Sequence, residues 1–132
     1  MLPAFLVPDT KVRESGVSSP LDLSAPRFQA IFLTLGITHI LEQQSLDVSV
    51  YGSVDGGHWD SRPLLSFSQK FYCGTYQMLL DLDTRPEIRF LRAQWRVKRW
   101  GRGDLQPMFG FYLHAEDARA RIAAPRVMTR TA

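Results

Sequence analysis

The stretch Leu46-Asp-Val-Ser-Val-Tyr-Gly-Ser-Val-Asp-Gly-Gly-His-Trp59 decides the fold class of this chain. Its first half alternates apolar and polar side chains, which is the period of a half-buried β-strand. The apolar set is Leu46, Val48 and Val50, and the polar set is Asp47, Ser49 and Tyr51. Asp55-Gly56-Gly57 then supplies residues that tolerate positive φ, so the chain can turn back sharply, and Trp59 is predicted to plug the end of a sheet sandwich. The stretch predicts an all-β protein and favours a module that binds or assembles over one that catalyses.

Five further segments are predicted strands separated by turn residues; four of them show the same alternation, and the one after Pro63 is a short strand. They run from Ile31 to Ile37, from Leu64 to Phe67, from Tyr76 to Leu82, from Leu91 to Lys98 and from Phe109 to His114. Short strands at this spacing are typical of a sandwich or jelly roll. A chain of 132 residues is long enough to bury its own core as one domain. We therefore predict a jelly-roll-like antiparallel β-sandwich.

The two ends of the chain differ in composition from the strand region. Residues 1–27 contain four prolines, which cannot donate to a sheet ladder, so they are predicted to form an extended arm whose apolar residues dock in a groove on this subunit or on a neighbour. The sandwich is predicted to span residues 28–115, and deleting residues 1–25 is expected to leave it folded. Residues 116–132 are predicted to form a basic tail, with a short helix between Ala115 and Ala124 that Pro125 ends.

Composition excludes several classes of function. Cys73 is the only cysteine, which rules out an intrachain disulfide, and its apolar neighbours predict a buried thiol. No apolar run approaches the ~20 residues of a membrane span. The start of the chain has no basic region of the kind a signal peptide carries, so we predict a cytoplasmic or virion protein without a membrane partner.

No group of residues in the sequence indicates catalysis or metal binding. The three histidines are far apart, and no nucleophile elbow, P-loop or dinucleotide fingerprint occurs. Asp55 and Asp60 offer oxygens of the kind calcium takes, but Asp55 is predicted to shape the turn and His58 to be solvated. We expect no enzymatic activity, no metal and no cofactor.

The positive charge is concentrated in one strand. The net charge is +3, and residues 88–102 carry six cations and no acid. By the two-residue period, Arg92, Arg96 and Lys98 share one face, and Trp100 follows at the end, which makes these four the predicted binding residues. Such a row can contact a neighbouring subunit, grip the phosphates of a nucleic acid, blunt a sheet edge or form a plain solvated face. The sequence favours the subunit contact and leaves the others open.

Two motifs resemble the discoidin-like (F5/8 type C, galactose-binding-like) sandwiches. Gly52-Ser-Val-Asp-Gly56 followed by Trp59 is similar to that family's Gly-Ser-x-Asp-Gly and tryptophan pattern. Arg89-Phe-Leu-Arg-Ala-Gln-Trp95 is similar to its Arg-[Tyr/Phe]-[Leu/Val]-Arg-Val-x-Trp strand. The resemblance covers residues 28–115 and implies the same sandwich. Small jelly rolls of this appearance also occur as virion accessory proteins of tailed phages, which implies a structural role.

Together these features predict a non-enzymatic structural protein that forms homo-oligomers through its sandwich and its terminal arms. One alternative, in line with the resemblance, is a carbohydrate-binding module that uses the loops Gly52–Trp59 and Tyr72–Tyr76. A second alternative is a nucleic-acid contact through Arg92, Arg96 and Lys98, with an affinity that falls steeply with salt.

Overall fold

The fold consists of short and medium-length β-strands, seen in a computed structural model that describes residues 2–23, 30–40, 44–99 and 108–118. Nine strands occupy these ranges, and five of them have nine to eleven residues. The strands are β1 (Ala4–Val12), β2 (Gly16–Val17), β3 (Leu21–Asp22), β4 (Ala30–Ile40), β5 (Gln44–Ser53), β6 (Leu65–Ser66), β7 (Gly74–Asp81), β8 (Phe90–Arg99) and β9 (Phe109–Asp117).

The strands form two antiparallel sheets that pack face to face. Sheet A has the order β1-β9-β4-β7, and sheet B has the order β2-β8-β5-β6, with β3 also paired to β8. The pairs β1–β9, β2 and β3–β8, β4–β7 and β5–β6 are successive parts of one long antiparallel ribbon that is rolled up so that the pairs alternate between the sheets. This is the jelly-roll arrangement, and the predicted all-β sandwich is confirmed.

The core lies between the two sheets and is built from alternate residues of each long strand. The strand part of Leu46–Trp59 is arranged as predicted: its apolar set is buried and its polar set faces outward from sheet B. Ser45, on the same side of β5 as the polar set, is covered. The inward residues of the three longest neighbours complete the core: Ile31, Leu33 and Leu35 of β4, Leu91 and Ala93 of β8, and Phe109, Phe111 and Leu113 of β9. The outer positions of the same strands are thereby free to carry function.

The N-terminal segment belongs to the sandwich rather than to a separate arm. Ala4–Val12 is an edge strand of sheet A paired with β9, and its Leu6 and Val7 are buried in the subunit's own core. The strand tolerates Pro8 because it lies at an edge and because its register shifts between Val7 and Thr10. The sandwich therefore begins at β1 and not at residue 28. Deleting residues 1–25 is now expected to unfold it.

At the other end, β9 continues to Asp117. The beginning of the predicted C-terminal helix is wrong, because Ala115–Asp117 pair with Ile31–Leu33 of β4 as strand residues. Alanine's preference for helix is outweighed there by a ladder that is already formed along nine residues. Ala118, the last described residue, is buried and has a helical conformation, and the rest of the predicted helix and of the basic tail lies outside the described residues.

Candidate functional site

The predicted basic row lies on the outer face of sheet B. Its strand, β8, pairs with β5 along its whole length and with the short β2 and β3 on the other side up to Trp95. Arg92 therefore lies inside the sheet, whereas Arg96 and Lys98 lie where the described residues provide a partner strand on one side of β8 only. Arg92, Arg96 and Lys98 project outward because the alternate positions Leu91 and Ala93 fill the core. Arg96 and Lys98 are exposed and Arg92 is half-buried. Trp100, the fourth predicted binding residue, lies outside the described residues.

Pairing with β5 brings a second set of polar side chains to the same face. Across the two strands, Arg92 lies opposite Tyr51, Gln94 opposite Ser49, Arg96 opposite Asp47, and Lys98 opposite Ser45. A polar depression of about 200 Å³ opens between them, which we call the sheet B depression; it is lined by Asp47, Ser49, Tyr51, Gln94 and Arg96. The Ser49 hydroxyl lies 2.8 Å from that of Ser66 on β6, which continues the polar surface onto the next strand.

The positive charges on this face are not neutralised by nearby acids. Within the described residues, no carboxylate lies at ion-pair distance from Arg92, Arg96 or Lys98. Asp47 lies opposite Arg96, but its carboxylate accepts a hydrogen bond from Nε2 of Gln69 at 3.2 Å instead. The outer face of sheet B thus has a surplus of positive charge available to a ligand.

Arg92 is positioned by an aromatic ring. Its guanidinium carbon lies 4.4 Å from the centroid of the Trp59 ring, a cation–π contact, and its Nε is buried with no hydrogen-bond partner among the described residues. Trp59 reaches this place because it forms a bridge with Ser53 at the end of β5. Trp59 is therefore half-buried beside Arg92 and does not plug the end of the sandwich.

Asp55 organises the loop Ser53–Trp59. Its Oδ1 accepts hydrogen bonds from the backbone N–H groups of Gly57 and His58, each at 2.8 Å, and its Oδ2 lies 2.8 Å from Nδ1 of His58. The hydrogen bonds from the amide and ring of His58 hold the pKa of Asp55 well below its usual range, and the Asp55 carboxylate in turn raises the pKa of His58. Gly56 has a φ of 81°, which a residue with a Cβ rarely adopts. Asp55 shapes the turn, as predicted.

The residues that could hold a metal are dispersed. In the described ranges, no group of three or more His, Cys, Asp or Glu side chains is placed to bind an ion. Asp60, the other acid considered from the sequence, is 3.1 Å from the guanidinium Nη2 of Arg85. Asp55 and Asp60 are thus used by the loop and by an ion pair.

The two loops predicted to bind a glycan together do not meet. The bridge between Trp59 and Ser53 lies at the end of β5, whereas Lys70, just before the second loop, forms a bridge with Leu46 near its start. At about 3.3 Å per residue, the strand between these bridges separates them by roughly 23 Å. The loops lie at opposite ends of the sandwich and do not form one site.

The second surface of interest is the free edge of sheet A, formed by β7. Eight consecutive residues of β7 pair with β4 without a register shift, and the strand has no proline, lysine or bulge. Large apolar side chains in and beside it are exposed: Phe71 by 42%, Tyr72 by 76%, Met78 by 38% and Leu79 by 55%. Cys73, which directly precedes the strand, is exposed and not buried as predicted, because an edge strand leaves its flanking loop open to solvent. We call this surface the β7 edge.

The other sheet edges have features that discourage pairing with another chain. β1 contains Pro8, Asp9 and Lys11 and two register shifts. On sheet B, β2, β3 and β6 are two residues long, and Pro20 and Pro63 lie close to them. Charges, prolines, bulges and short length are the usual protection of edge strands. In the part of the chain that the structure describes, the β7 edge alone is long and regular, and the cation closest to it is Lys70, whose Nζ lies 3.8 Å from the centroid of the Tyr76 ring.

The sequence identifies the cationic row but not the residues opposite it. The alternation in β5 does place Asp47, Ser49 and Tyr51 on one side, yet nothing local shows that β8 is its neighbour. The alternation of apolar and polar residues also does not predict that β7 lies at an edge, because edge and interior strands show the same alternation. The absence of lysine and proline between Gly74 and Asp81 is a readable signal once the strand order is known.

Comparisons with known proteins identify no family for this chain. No protein-family model and no curated protein matches the sequence. Three chains of known structure match the fold, among them the crystal structure of the SPBc2 prophage-derived protein YomS, at a TM-score of 0.47 and 7% sequence identity, covering 88% of this chain and 96% of that chain. The two-sheet arrangement described above stands on this chain's own strand pairing. No helix in the described residues is long and apolar enough to cross a membrane.

Proposed function

We propose that this protein is a non-enzymatic structural protein that assembles by pairing the β7 strands of two copies. One observation carries the proposal: the β7 edge presents a regular row of backbone N–H and C=O groups that no other strand of the described residues pairs with, flanked by exposed apolar side chains. Such a row is a ready template for another strand. Pairing would satisfy the backbone groups and remove Leu79 and Tyr72 from water.

A second copy of this chain is the partner that the topology favours. An antiparallel contact between two β7 strands across a two-fold axis uses the same surface of both subunits and needs one open edge per chain. A filament needs two open edges, and the described residues provide one. We therefore expect a closed dimer with twice the 15.1 kDa mass of the chain.

The register of the pair follows from the two faces of the strand. Outward residues of one copy must face outward residues of the other, or every side chain would be moved to the wrong face. A register with Gln77 on the two-fold axis meets this condition. It places Thr75 opposite Leu79 of the second copy, and Tyr76 opposite Met78, so no like charges meet.

The test is the absolute mass in solution by light scattering after size exclusion, over a range of protein concentrations and at two salt concentrations. We expect a dimer whose stability changes little with salt, because backbone pairing and apolar contacts do not depend on ion pairs. Leu79→Lys should shift the protein to a monomer by placing a charge in the contact. Val54→Lys is the matched control, since Val54 and Leu79 are each 55% exposed but Val54 lies in the loop after β5.

Three outcomes would contradict this assignment. A 15.1 kDa monomer at every concentration would exclude assembly of the isolated chain. Equal loss of the dimer in both lysine variants would place the contact elsewhere. If the dimer dissociates on addition of salt and is unaffected by Leu79→Lys, the contact lies at the basic row of β8, as the sequence predicts.

Two other sequence predictions remain open. The discoidin-like type and a virion location stay predictions of the motif resemblance. A nucleic-acid contact through Arg92, Arg96 and Lys98 is supported by the absence, among the described residues, of a carboxylate at ion-pair distance from them, and is opposed by Asp47, which lies opposite Arg96. Such binding should weaken steeply as salt rises, because each phosphate contact releases counterions.

A further inference from the structure

We propose that the sheet B depression binds one sugar unit of an acidic saccharide, meaning a sugar that carries a carboxylate. The depression lies on the opposite sheet from the β7 edge, so the binding is independent of the proposed dimer. The site is on the face of the sheet and not in the loops at the ends of the sandwich.

The shape comes from one small residue between larger ones. On β5, Ser49 lies between Asp47 and Tyr51 on the outer face, and the two ends of this row are about 13 Å apart, since a strand rises about 3.3 Å per residue. Because Ser49 and its neighbour Ser66 are short, the surface dips between the longer side chains. The resulting volume of about 200 Å³ suits a single sugar ring and not a long chain of rings.

The lining offers donors and acceptors together. Arg96 only donates, Asp47 only accepts when ionised, and Gln94 and the hydroxyls of Ser49 and Tyr51 do both. Sugar hydroxyls also donate and accept, so they can pair with every one of these groups. A phosphate backbone offers only acceptors, so it has nothing to donate to the Asp47 carboxylate, whereas the hydroxyls of a sugar can donate to it. The mixture therefore favours a saccharide over a nucleic acid.

The charge favours an acidic sugar over a neutral one. Arg96 has no carboxylate at ion-pair distance among the described residues, and Arg92 and Lys98 lie on the same face. An arginine fork pairs well with a planar carboxylate, by two parallel hydrogen bonds. A uronic acid unit would supply this carboxylate to Arg96 and place its hydroxyls toward Asp47 and Gln94.

The experiment is a calorimetric titration of the full-length protein with trigalacturonate. The same trisaccharide as its methyl ester keeps the size and hydroxyls but removes the charge. We expect saturable binding of the acid and a loss of about tenfold or more for the ester, the size of effect that one charged hydrogen bond provides. A thymidine oligonucleotide of equal charge should bind more weakly than trigalacturonate.

The sign of the Asp47→Ala effect separates a saccharide site from general attraction of anions. If Asp47 accepts a hydrogen bond from the sugar, the variant binds trigalacturonate less tightly. If the face merely attracts anions, the variant binds more tightly, since it has lost a negative charge. Asp47→Asn, which keeps the shape and one acceptor, should lie between Asp47→Ala and the natural protein.

Arg96→Ala should abolish measurable binding of trigalacturonate. Arg62→Ala is its matched control, because Arg62 is an exposed cation outside the depression and its removal changes the net charge equally. We expect Arg62→Ala to bind within about twofold of the natural protein, in line with the small worth of distant exposed charges. Tighter binding by Asp47→Ala, equal binding of acid and ester, equal binding of the oligonucleotide, or equal effects of the two arginine variants would each overturn the proposal. None of these results bears on the mass of the dimer.

Discussion

Asp55 and His58 form an exposed ion pair whose protonation can be followed directly. Because the Asp55 carboxylate lies 2.8 Å from Nδ1 of His58, we expect the pKa of His58 to lie above its ordinary value of about 6.5. A raised histidine pKa contributes stability that is fully present below the unfolded pKa and is lost as the pH rises through the folded one. The lowered pKa of Asp55 keeps its part of the pair until strongly acidic pH. The effect on overall stability should be small, since both side chains are exposed.

The measurement is an NMR titration of the His58 ring. Asp55→Asn should return the pKa of His58 to its ordinary range. Asp60→Asn is the control: it also removes one negative charge, but Asp60 pairs with Arg85, so the pKa of His58 should stay raised. An unchanged His58 titration in Asp55→Asn would show that the pair is not formed in solution.

At the residue scale, the sequence predicts what depends on near neighbours. The role of Asp55 is readable because its partners Gly57 and His58 lie within three residues, where turn chemistry operates. The role of Gln44 is not. Its buried side chain donates to the carbonyl of Met108 at 2.6 Å and accepts from the amide of Met108 at 2.9 Å, across 64 residues of sequence. Only the rolled ribbon brings those two residues together.

At the scale of the element, β1 should be part of the cooperative core. Leu6→Ala is expected to lower the free energy of unfolding by about 2–5 kcal/mol, because it removes a buried side chain and leaves a cavity. Its neighbour Phe5 is the control, since it is 52% exposed and makes edge-type ring contacts with Tyr112 and His114. Phe5→Ala should cost about 1 kcal/mol. Urea denaturation followed by tryptophan fluorescence measures both, and equal costs would show that β1 is not docked as described.

Strand β1 is an element that the local sequence pattern does not predict. The strands β4, β5, β8 and β9 follow the predicted alternation because each has one apolar side that faces the core. Pro3, just before β1, and Pro8, within it, argue against a strand because proline cannot donate to a sheet ladder, but this excludes only interior strands and not edge strands. Whether a segment lies at an edge is a property of the whole sheet, so the local pattern of β1 could not reveal it.

At the scale of the whole molecule, the ribbon topology decides which surfaces exist. The sequence places Arg92, Arg96 and Lys98 on one face, but the neighbour β5 adds Asp47 and thereby changes a purely basic row into a mixed polar depression. The same topology puts β7 at an edge and separates the two predicted glycan loops. None of these relations has a local signal, because each depends on pairing between segments far apart in the chain.

The proposed dimer fixes a distance that the single native cysteine can report. Cys73 is exposed and directly precedes β7, so it accepts a spin label without any substitution. In an antiparallel pair with Gln77 on the two-fold axis, Cys73 lies opposite Asp81 of the second copy, and the two Cys73 residues are separated along the strand by about 26 Å at about 3.3 Å per residue. A pulsed dipolar measurement should give one distance near this value, lengthened slightly by the label arms.

Leu79→Lys should remove this distance between the labels, and Val54→Lys should keep it. A contact through the basic row of β8 would leave the distance unchanged by Leu79→Lys, and a parallel β7 pair would bring the labels within about 5 Å, the spacing of neighbouring strands. The distance therefore tests the edge, the direction and the register of the pairing together, which the mass alone does not.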